Sequence, residues 1–330
     1  MRKADDNLMS NFNKEETLER KRTETEAFKI NEELMEMLHD ESSGCYVPWQ
    51  FANYKVHADT LKTTYDEVIL WGKQEAMIRP GWQVKGKGVI IPNIFAKVSG
   101  VHRDVKLYRE QVSALVKEEN TLFFKKFPLY KQRLPKDVNK IYSKMLKKNG
   151  EIDKGKLLTS EYWKYKRLNS ALQESIADKI IEFCKISSFW KYKTYKVKLR
   201  FSLINRIIEF FYSLIYKESK DEDMMKISIF AILTNLDEEL LDLLQNFDYP
   251  LKVPKIIIYN NNERKSLTFA DAVTLMFMNS MGVDIIIFNP GGTSDIENYV
   301  KEDFYDTHRL EEIHPNLPYR RNIIYRLARK

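Results

Sequence analysis

Two short apolar runs in the last third of the chain constrain its fold more than any other feature. The first is Lys255–Tyr259 and the second is Asp284–Phe288, and polar residues follow each run. Runs of this length and composition predict two strands. The segment between them predicts a helix that Thr268 caps and Gly282 ends. The pattern therefore predicts a βαβ unit, and with it an α/β fold.

The loops after the two predicted strands carry residues suited to a ligand site. Because a right-handed crossover brings both strand ends to one edge of the sheet, we expect these loops to lie together. Asparagine amides both donate and accept hydrogen bonds, and glycines let backbone N–H groups approach a ligand closely. The candidate ligand-binding residues are Asn260, Asn261, Asn262, Glu263, Asn289, Gly291, Gly292 and Thr293.

The same loops lack the standard fingerprints of phosphate binding, GxGxxG and GxxxxGK[ST]. We expect Thr293 or Ser294 to cap a helix that runs through Val300, whose N-terminus would offer an anion cradle. Asp295 and Glu297 would repel a phosphate there, which favours a neutral or cationic ligand group. The alternative interpretation is that these asparagines and glycines only turn the chain.

Catalytic residues are not identified by any motif, and three candidates follow from chemistry alone. His308 and Arg309 could handle protons or charge, and Asp295 lies in the second predicted loop. Asp303, Asp306 and His308 match no strong metal-ligand spacing, so surface ion pairs are the preferred interpretation and no metal site is predicted. The sequence indicates no particular cofactor.

Cysteine content and hydropathy bear on the compartment. The chain has two cysteines and no CxxC or HExxH motif, which predicts neither a disulfide framework nor a structural zinc site. The most apolar run, Phe201–Tyr216, is short and contains Arg206 and Glu209. No apolar leader follows Met1. We expect a cytoplasmic protein without membrane insertion.

Charge is distributed unevenly along the chain. Residues 125–200 hold 21 Lys/Arg and seven Asp/Glu, a net of +14, so the remaining residues carry −7. This basic middle would suit an anionic partner or an acidic surface of the same protein. Aromatics alternate with basic residues in Trp163–Arg167 and Trp190–Arg200, a pattern that also allows nucleic-acid binding. Core packing of those aromatics is the more usual outcome.

Four segments are predicted along the chain: 1–40 is a tail and a helix, 41–120 an α/β region, 121–250 a helical basic region, and 251–330 a Rossmann-like βαβ unit. The pattern predicts one strand over Lys87–Val98, ending or lying at an edge near Pro92. The predicted helices between residues 41 and 250 are Asp59–Met77, His102–Glu119, Pro135–Lys148, one that Ser160 caps, Asn169–Ile186, Ser202–Lys217, and Glu222–Asn246 with a break near Thr234.

Several longer runs of residues resemble one protein family. They are Pro48–Phe51, Leu61–Glu67, Arg79–Gly81, Ile91–Val98, Ile258–Asn262, Gly282–Phe288 and Asp295–Tyr299. With these runs the chain resembles the bacterial YceG-like family over roughly Gly44–Arg309. Members of that family are longer, so the chain either lacks an N-terminal portion or is a short variant.

The resemblance implies a biological setting rather than a mechanism. The family is described as a component of a biosynthetic module in tellurite-resistance and stress-response operons. It implies binding or processing of a nucleotide- or sugar-like small molecule, and whether the protein is an enzyme stays open. One alternative is a non-enzymatic partner of a toxic-anion-resistance (TelA-like) protein. Nucleic-acid binding through the basic middle is the less favoured alternative.

Overall fold

A computed structural model shows the architecture of the chain. The residues that it describes are 29, 55–86, 88–131, 135, 137–185, 189–191, 219–246, 252–261 and 267–319. Most of the predicted segment 1–40, the apolar run 201–216, and the candidate site residues Asn262 and Glu263 lie outside these residues.

The described part of the chain contains both strands and helices. The strands are β1 (Lys55–Thr60), β2 (Gln83–Lys85), β3 (Gly88–Asn93), β4 (Phe95–Ser99), β5 (Thr121–Phe124), β6 (Lys255–Tyr259), β7 (Asp284–Asn289) and β8 (Asp306–Arg309). The helices are α1 (Tyr65–Trp71), α2 (Val105–Val116), α3 (Val138–Met145), α4 (Lys154–Thr159), α5 (Ser170–Lys185), α6 (Ser219–Leu233), α7 (Glu238–Gln245) and α8 (Phe269–Ser280).

Five of the strands form one parallel sheet in the order β5-β6-β7-β4-β8. Every residue of β6 and β7 is buried. This explains why both strands are continuous apolar runs, because parallel strands are covered on both faces. The predicted βαβ unit is thus confirmed as β6-α8-β7. The remaining three strands form a small mixed sheet in the order β1-β3-β2.

Two apolar cores cover the two faces of the parallel sheet. On the first face, Ala96, Ile257 and Ile286 pack with α1 and α2. On the second, Phe95 and Ile287 pack with α8 and the helices of the 138–245 region. We call these the α2 face and the α8 face. The alternation of side chains along each strand assigns every strand residue to one of the two.

The connections that leave β4 and β7 run over opposite faces. After β4 the chain enters α2, whose Tyr108 and Leu115 belong to the α2-face core. After β7 it crosses the other face, where Ile296, Val300 and Tyr305 join the α8-face core. Adjacent parallel strands whose connections diverge leave a crevice at their carboxyl ends, which is where open α/β sheets bind ligands. The fold therefore predicts a ligand site at the carboxyl ends of β4 and β7.

A buried ion pair joins the two sheets at the amino edge of the large one. Arg79 donates from Nη1 to Asp284 Oδ1 at 2.8 Å and from Nη2 to Oδ2 at 2.7 Å, and neither side chain is exposed. Asp284 Oδ1 also accepts from Ile94 N at 2.9 Å, and Arg79 Nη1 donates to Pro92 O at 3.1 Å. The chain passes from β3 to β4 at Ile94, so this pair holds the point where one sheet gives way to the other.

The predicted single strand over Lys87–Val98 is therefore wrong, because it is two strands in two sheets. Asn93 explains the change of direction: its Nδ2 donates to Asn279 O at 2.6 Å and Val283 O at 3.2 Å. Pro92 lies near the end of β3, beyond the residues that pair with β2. That position agrees with the expectation for a proline at a strand end.

Two of the predicted helix starts are also wrong. Asp59 and Thr60 end a strand, and α1 begins later, where Thr64 and Glu67 form a capping box. Pairing of β1 with β3 overrides the local helical pattern there. Ser160 follows the C-terminal end of α4 instead of starting a helix. By contrast, α5 matches its prediction, and the break near Thr234 separates α6 from α7.

None of the described helices is long and apolar enough to cross a membrane.

Breaking the Arg79–Asp284 pair should be costly. Replacing Arg79 by Met leaves Asp284 buried without its partner, so we expect Arg79→Met to lower the free energy of unfolding by about 3–5 kcal/mol. Urea denaturation measures this. The matched control is Arg167→Met, because the Arg167–Asp242 pair is exposed at 45% and 53%; its loss should stay below about 1 kcal/mol. Similar losses in both variants would contradict the role assigned to Arg79.

Lys255 should make stability depend on alkaline pH. Burial lowers the pKa of Lys255 from 10.5 to about 8, although Asp284 opposes the shift. Between those values the unfolded chain holds a proton that the folded chain has lost, so stability rises with pH. Below pH 8 the cost of the buried charge is complete. We therefore expect Lys255→Met to raise the free energy of unfolding near pH 7, by up to about 3 kcal/mol.

The measurement is urea denaturation of both proteins at intervals from pH 7 to 10.5. The gain of the Lys255→Met variant over the native chain should shrink as pH rises. Lys106→Met, whose side chain is 77% exposed, is the control and should give no gain in stability near pH 7. A gain that stays constant with pH would show that Lys255 does not titrate in this range.

Candidate functional site

Polar side chains line the carboxyl ends of the strands on the α8 face. Asn289 is the last residue of β7 and pairs in register with Ser99 of β4. Asn260 follows β6 directly, and its N–H donates to Phe288 O at 2.8 Å. Since Tyr259 pairs with Phe288, Asn260 lies beside Asn289. The structure thus brings together two of the asparagines that the sequence nominated.

A buried lysine lies two residues before Ser99 in β4, on the same face of the sheet. Lys97 of β4 is 2% exposed, and its Nζ is 3.0 Å from Asp295 Oδ1 and 2.6 Å from Glu297 Oε1. It also donates to Thr293 O at 2.8 Å. The three N–H bonds of the ammonium group therefore all have acceptors. Lys97 anchors the loop after β7 to the sheet.

Asn289 holds the other side of that loop. Its Nδ2 donates to Asp295 Oδ2 at 2.6 Å and to Thr293 O at 2.8 Å, and its Oδ1 accepts from Thr293 N at 3.3 Å. Asp295 is completely buried. We call Lys97, Asn289, Asp295 and Glu297 the strand-end cluster. Formally it carries one positive and two negative charges, so it favours ligand groups that donate hydrogen bonds.

The two carboxylates of the strand-end cluster are shifted in opposite directions. Burial raises the pKa of Asp295, and Glu297 adds to that rise while Lys97 opposes it. For Glu297, burial also favours the neutral form, but the hydrogen bond from Lys97 and backbone N–H groups outweigh it and lower the pKa. Of the two carboxylates, Asp295 is therefore the one that takes up an added proton first.

Two buried oxygen atoms beside the cluster have no hydrogen-bond partner within the described residues. They are Asn260 Oδ1 and Tyr305 Oη, and both residues are at most 3% exposed. Burial raises the pKa of Tyr305, and the charges of Glu297, Glu302 and Asp295 add to that rise. An unpartnered buried polar atom costs about 1–3 kcal/mol, a cost that a bound ligand would offset.

The other nominated loop residues have mixed positions. Asn261 donates from Nδ2 to Leu317 O at 3.0 Å. Thr293 contributes its backbone to the strand-end cluster, while Gly291 and Gly292 form the turn between β7 and that cluster. Asn262 and Glu263 fall outside the described residues.

The helix expected after the glycine turn is wrong in both its cap and its length. Only a three-residue 3-10 helix forms, Ile296–Asn298, and Asp295 caps it by accepting from Ile296 N at 2.6 Å. Neither Thr293 nor Ser294 is the cap. The burial of Asp295 between Lys97 and Asn289 decides this, because the carboxylate that faces the cluster also reaches the next N–H.

His308 and Asp295 lie on opposite faces of the sheet. His308 pairs with Val98, so it lies on the α2 face, whereas Asp295 contacts Lys97 on the α8 face. His308 Nε2 is 3.2 Å from Thr63 Oγ1. Burial lowers the pKa of His308, with Asp306 and Glu67 opposing the shift. The side chain of Arg309 is exposed. These three candidates therefore do not form one catalytic group.

Within Asp303–His308, Asp306 forms an ion pair. Lys62 Nζ is 3.2 Å from Asp306 Oδ1, and Thr63 N donates to Asp306 Oδ2 at 2.6 Å. In the part of the chain that the structure describes, no group of three or more His, Cys, Asp or Glu side chains is placed to hold a metal ion.

The segment after β8 crosses the carboxyl edge of the sheet. We call Leu310–Tyr319 the strap. Glu312 and Val101 exchange two backbone hydrogen bonds of 2.8 and 3.0 Å, and His314 N donates to Pro290 O at 2.9 Å. The strap thus closes over the ends of β4 and β7, directly above the crevice between them.

Two glycines allow this close approach. A Cβ on Gly100 would lie 2.7 Å from Glu312 O, and one on Gly292 would lie 2.8 Å from Ile313 Cδ1. Both residues have positive φ, +88° and +65°. Gly292 therefore serves the strap contact, in addition to any contact with a ligand.

A small cavity lies elsewhere, among α3, α4 and α6. It measures about 30 Å³, and mostly apolar side chains such as Ile141, Met145 and Phe230 line it. It contains none of the nominated site residues. We place the candidate site at the strand ends, because the buried charges and unpartnered polar atoms lie there.

Lys97 was not predicted to be a site residue, although the sequence carries a signal for it. It interrupts the apolar run Phe95–Val98 at a position where a buried parallel strand has no reason to carry charge. Glu297 was noted only as a group that repels phosphate. Its partnership with Lys97 across about 200 residues of sequence became visible only in the fold.

Comparison with known proteins identifies relatives. The model of the YceG domain family matches residues 62–203 and 191–323. The "Uncharacterized protein YceG" of Bacillus subtilis (strain 168) is 35% identical over 292 residues, which are 88% of this chain and 50% of that protein. The chain thus spans about half the length of this curated relative. No solved structure matches it.

Substituting Gly100 tests the strap contact. We expect Gly100→Ala to lower the free energy of unfolding through backbone strain of about 1–3 kcal/mol at positive φ, plus the clash with Glu312 O. Gly150→Ala is the matched control, because Gly150 has φ +83° and open space around its Cβ. Urea denaturation of both variants isolates the clash. Equal losses would contradict the close approach of the strap.

Proposed function

The chain belongs to the YceG domain family, and for this member we propose that the strand ends bind or process a nucleotide- or sugar-like small molecule. The Rossmann-like character of the C-terminal βαβ unit, which the strand order alone does not establish, is part of this proposal. The observation that carries the proposal is the buried strand-end cluster at the crevice between β4 and β7.

The cluster supports a ligand site because a purely structural role does not account for its composition. A buried ion pair contributes little net stability compared with apolar residues of the same size. The cluster adds a second carboxylate, and Glu297 keeps 30% of its side chain exposed. Asn260 Oδ1 lies beside it without a partner within the described residues. Displaced pKa values and unpartnered polar atoms in a crevice are features of functional sites.

The roles follow from the contacts. Lys97 has all its donors occupied, so it is a positioning residue that sets the loop carrying Asp295 and Glu297. Glu297 and the Asn260 amide would accept hydrogen bonds from ligand hydroxyl or amino groups. Asp295, with its raised pKa, is the group best suited to take up and release a proton if a reaction occurs. A ribose or another polyhydroxylated ring presents donors of this kind.

The wider setting stays a hypothesis that only the family resemblance supports. It comprises a tellurite-resistance or stress-response module, a cytoplasmic location and a toxic-anion-resistance partner. Nucleic-acid binding has less support from Trp163–Arg167, because Trp163 and Tyr165 are buried and hydrogen-bonded to Gln173 and Leu233. Most of the second aromatic-basic run, Trp190–Arg200, lies outside the described residues.

Thermal-shift screening with nucleosides, nucleotides, sugars and sugar phosphates tests the proposal. A ligand of the site should raise the melting temperature of the native chain. Asn260→Ala should weaken its binding by about tenfold, with little change in the stability of the free protein, because Oδ1 has no hydrogen-bond partner within the described residues.

Lys97→Met should abolish binding of the same ligand by releasing the 293–297 loop. Asn149→Ala, an exposed asparagine bonded only to Glu151 among the described residues, is the control. Stabilisation that survives both Asn260→Ala and Lys97→Met would disprove this placement of the site.

A further inference from the structure

A second group of unpartnered polar atoms lies on the α2 face of the same sheet edge. Tyr108 Oη, Tyr259 Oη and Arg109 Nε are buried, and none has a hydrogen-bond partner within the described residues. Tyr108 and Tyr259 are 0% and 1% exposed. Each unpartnered atom carries a desolvation cost that a ligand would remove.

The three side chains belong to one small region. The Tyr108 ring stacks edge-on against Phe288 with centroids 5.9 Å apart, and Phe288 pairs in register with Tyr259. Tyr259 in turn contacts Tyr319 of the strap, at 5.5 Å between centroids. Arg109 Nη2 donates to Pro318 O of the strap at 3.4 Å. The region is therefore bounded by α2, the end of β6 and the strap.

All three atoms can act as hydrogen-bond donors. The guanidinium of Arg109 is donor-only and stays charged. Burial raises the pKa of Tyr108 well above its usual value. Burial also raises the pKa of Tyr259, and Arg109 opposes this only in part. Both phenols thus keep their protons at neutral pH and present O–H groups beside a positive charge.

We propose that Tyr108, Arg109 and Tyr259 form an anion subsite beneath the strap that binds the phosphate group of a small-molecule ligand. Two hydroxyl donors and one guanidinium donor match the oxygen acceptors of a phosphate. This inference rests on the proposed function, because it assigns a charged group to the same ligand. The acceptor-rich strand-end cluster on the α8 face would bind the hydroxyl-bearing part.

The two faces therefore differ in whether their polar groups accept or donate hydrogen bonds. The α8 face presents Asp295, Glu297 and the Asn260 oxygen, which accept, whereas the α2 face presents Tyr108, Arg109 and Tyr259, which donate. A phosphate belongs on the α2 face and is repelled from the other. The strap packs on the α2 face through Leu310, Leu317 and Tyr319, so a ligand that reaches this subsite must displace part of Leu310–Tyr319.

Binding of inorganic phosphate at constant ionic strength, followed by calorimetry and thermal shift, tests the subsite. We expect the native chain to bind phosphate and Tyr108→Phe and Tyr259→Phe each to weaken it by about tenfold or more. Neither substitution should destabilise the free protein, because neither removes a hydrogen bond formed within the described residues. Arg109→Gln should weaken phosphate binding further, because it removes the positive charge.

Tyr305→Phe is the matched control. Tyr305 is also a buried tyrosine with an unpartnered hydroxyl, but it lies on the α8 face. Its loss should leave phosphate binding unchanged. Replacing phosphate with acetate separates recognition of a phosphate from recognition of any anion, and the subsite predicts much weaker acetate binding.

Failure of this inference can be told apart from failure of the proposed function. Native protein that does not bind phosphate, or tyrosine variants that bind it as well as the native chain, would overturn the anion subsite. A nucleoside or sugar that still depends on Asn260 and Lys97 would leave the strand-end site standing. Phosphate binding that is lost in Tyr108→Phe and kept in Lys97→Met supports the subsite independently of the α8 face.

Discussion

The buried contact between Arg79 and Asp284 determines how the two sheets of this protein meet. Asp284 begins β7, Arg79 precedes β2, and the same carboxylate accepts from Ile94, where β3 becomes β4. With that bond in place, the chain leaves the small sheet at the end of β3 and enters the large sheet as β4, beside β7. Every feature of the candidate site depends on this neighbourhood, because Lys97 comes from β4 and its acidic partners follow β7.

Buried charge recurs at both edges of the large sheet, for different physical reasons. At the amino edge, Asp284 is fully matched by a bidentate arginine, which is the arrangement that best offsets desolvation. At the carboxyl edge, one lysine faces two carboxylates, so the charges do not balance. An ion pair that only joins two structural elements needs no excess charge. The buried Lys255 adds an excess charge at the amino edge as well, so the position of the carboxyl-edge cluster beside the crevice between β4 and β7 is the stronger indication of function.

The strap links the candidate site to the rest of the sheet edge. It approaches the backbone so closely at Gly100 and Gly292 that a side chain would collide with it. It also contacts Tyr259 and Arg109 on the α2 face, and Leu317 O accepts a hydrogen bond from Asn261, two residues after the end of β6. Access to the unpartnered polar atoms of the α2 face thus depends on the position of one short segment.

Much of the βαβ unit could be predicted locally, because its signals are local. The apolar runs, the Thr268 cap and the glycine after α8 all act within a few residues. Asn289, Thr293 and Asp295 were nominated for the same reason, since they follow a strand. The α1 start and the division of Lys87–Val98 were predicted wrongly, because pairing with β3 and the Asn93 contacts come from distant residues.

The sequence by itself determined that two buried strands carry polar loops at one end, since alternation, caps and turns are properties of neighbouring residues. Only the tertiary structure decided that Lys97 reaches Asp295 and Glu297, that His308 lies on the opposite face, and that the strap covers the crevice. Those contacts join residues from about 200 positions apart. They depend on the order of the strands and on which face each connection crosses, and local patterns carry neither.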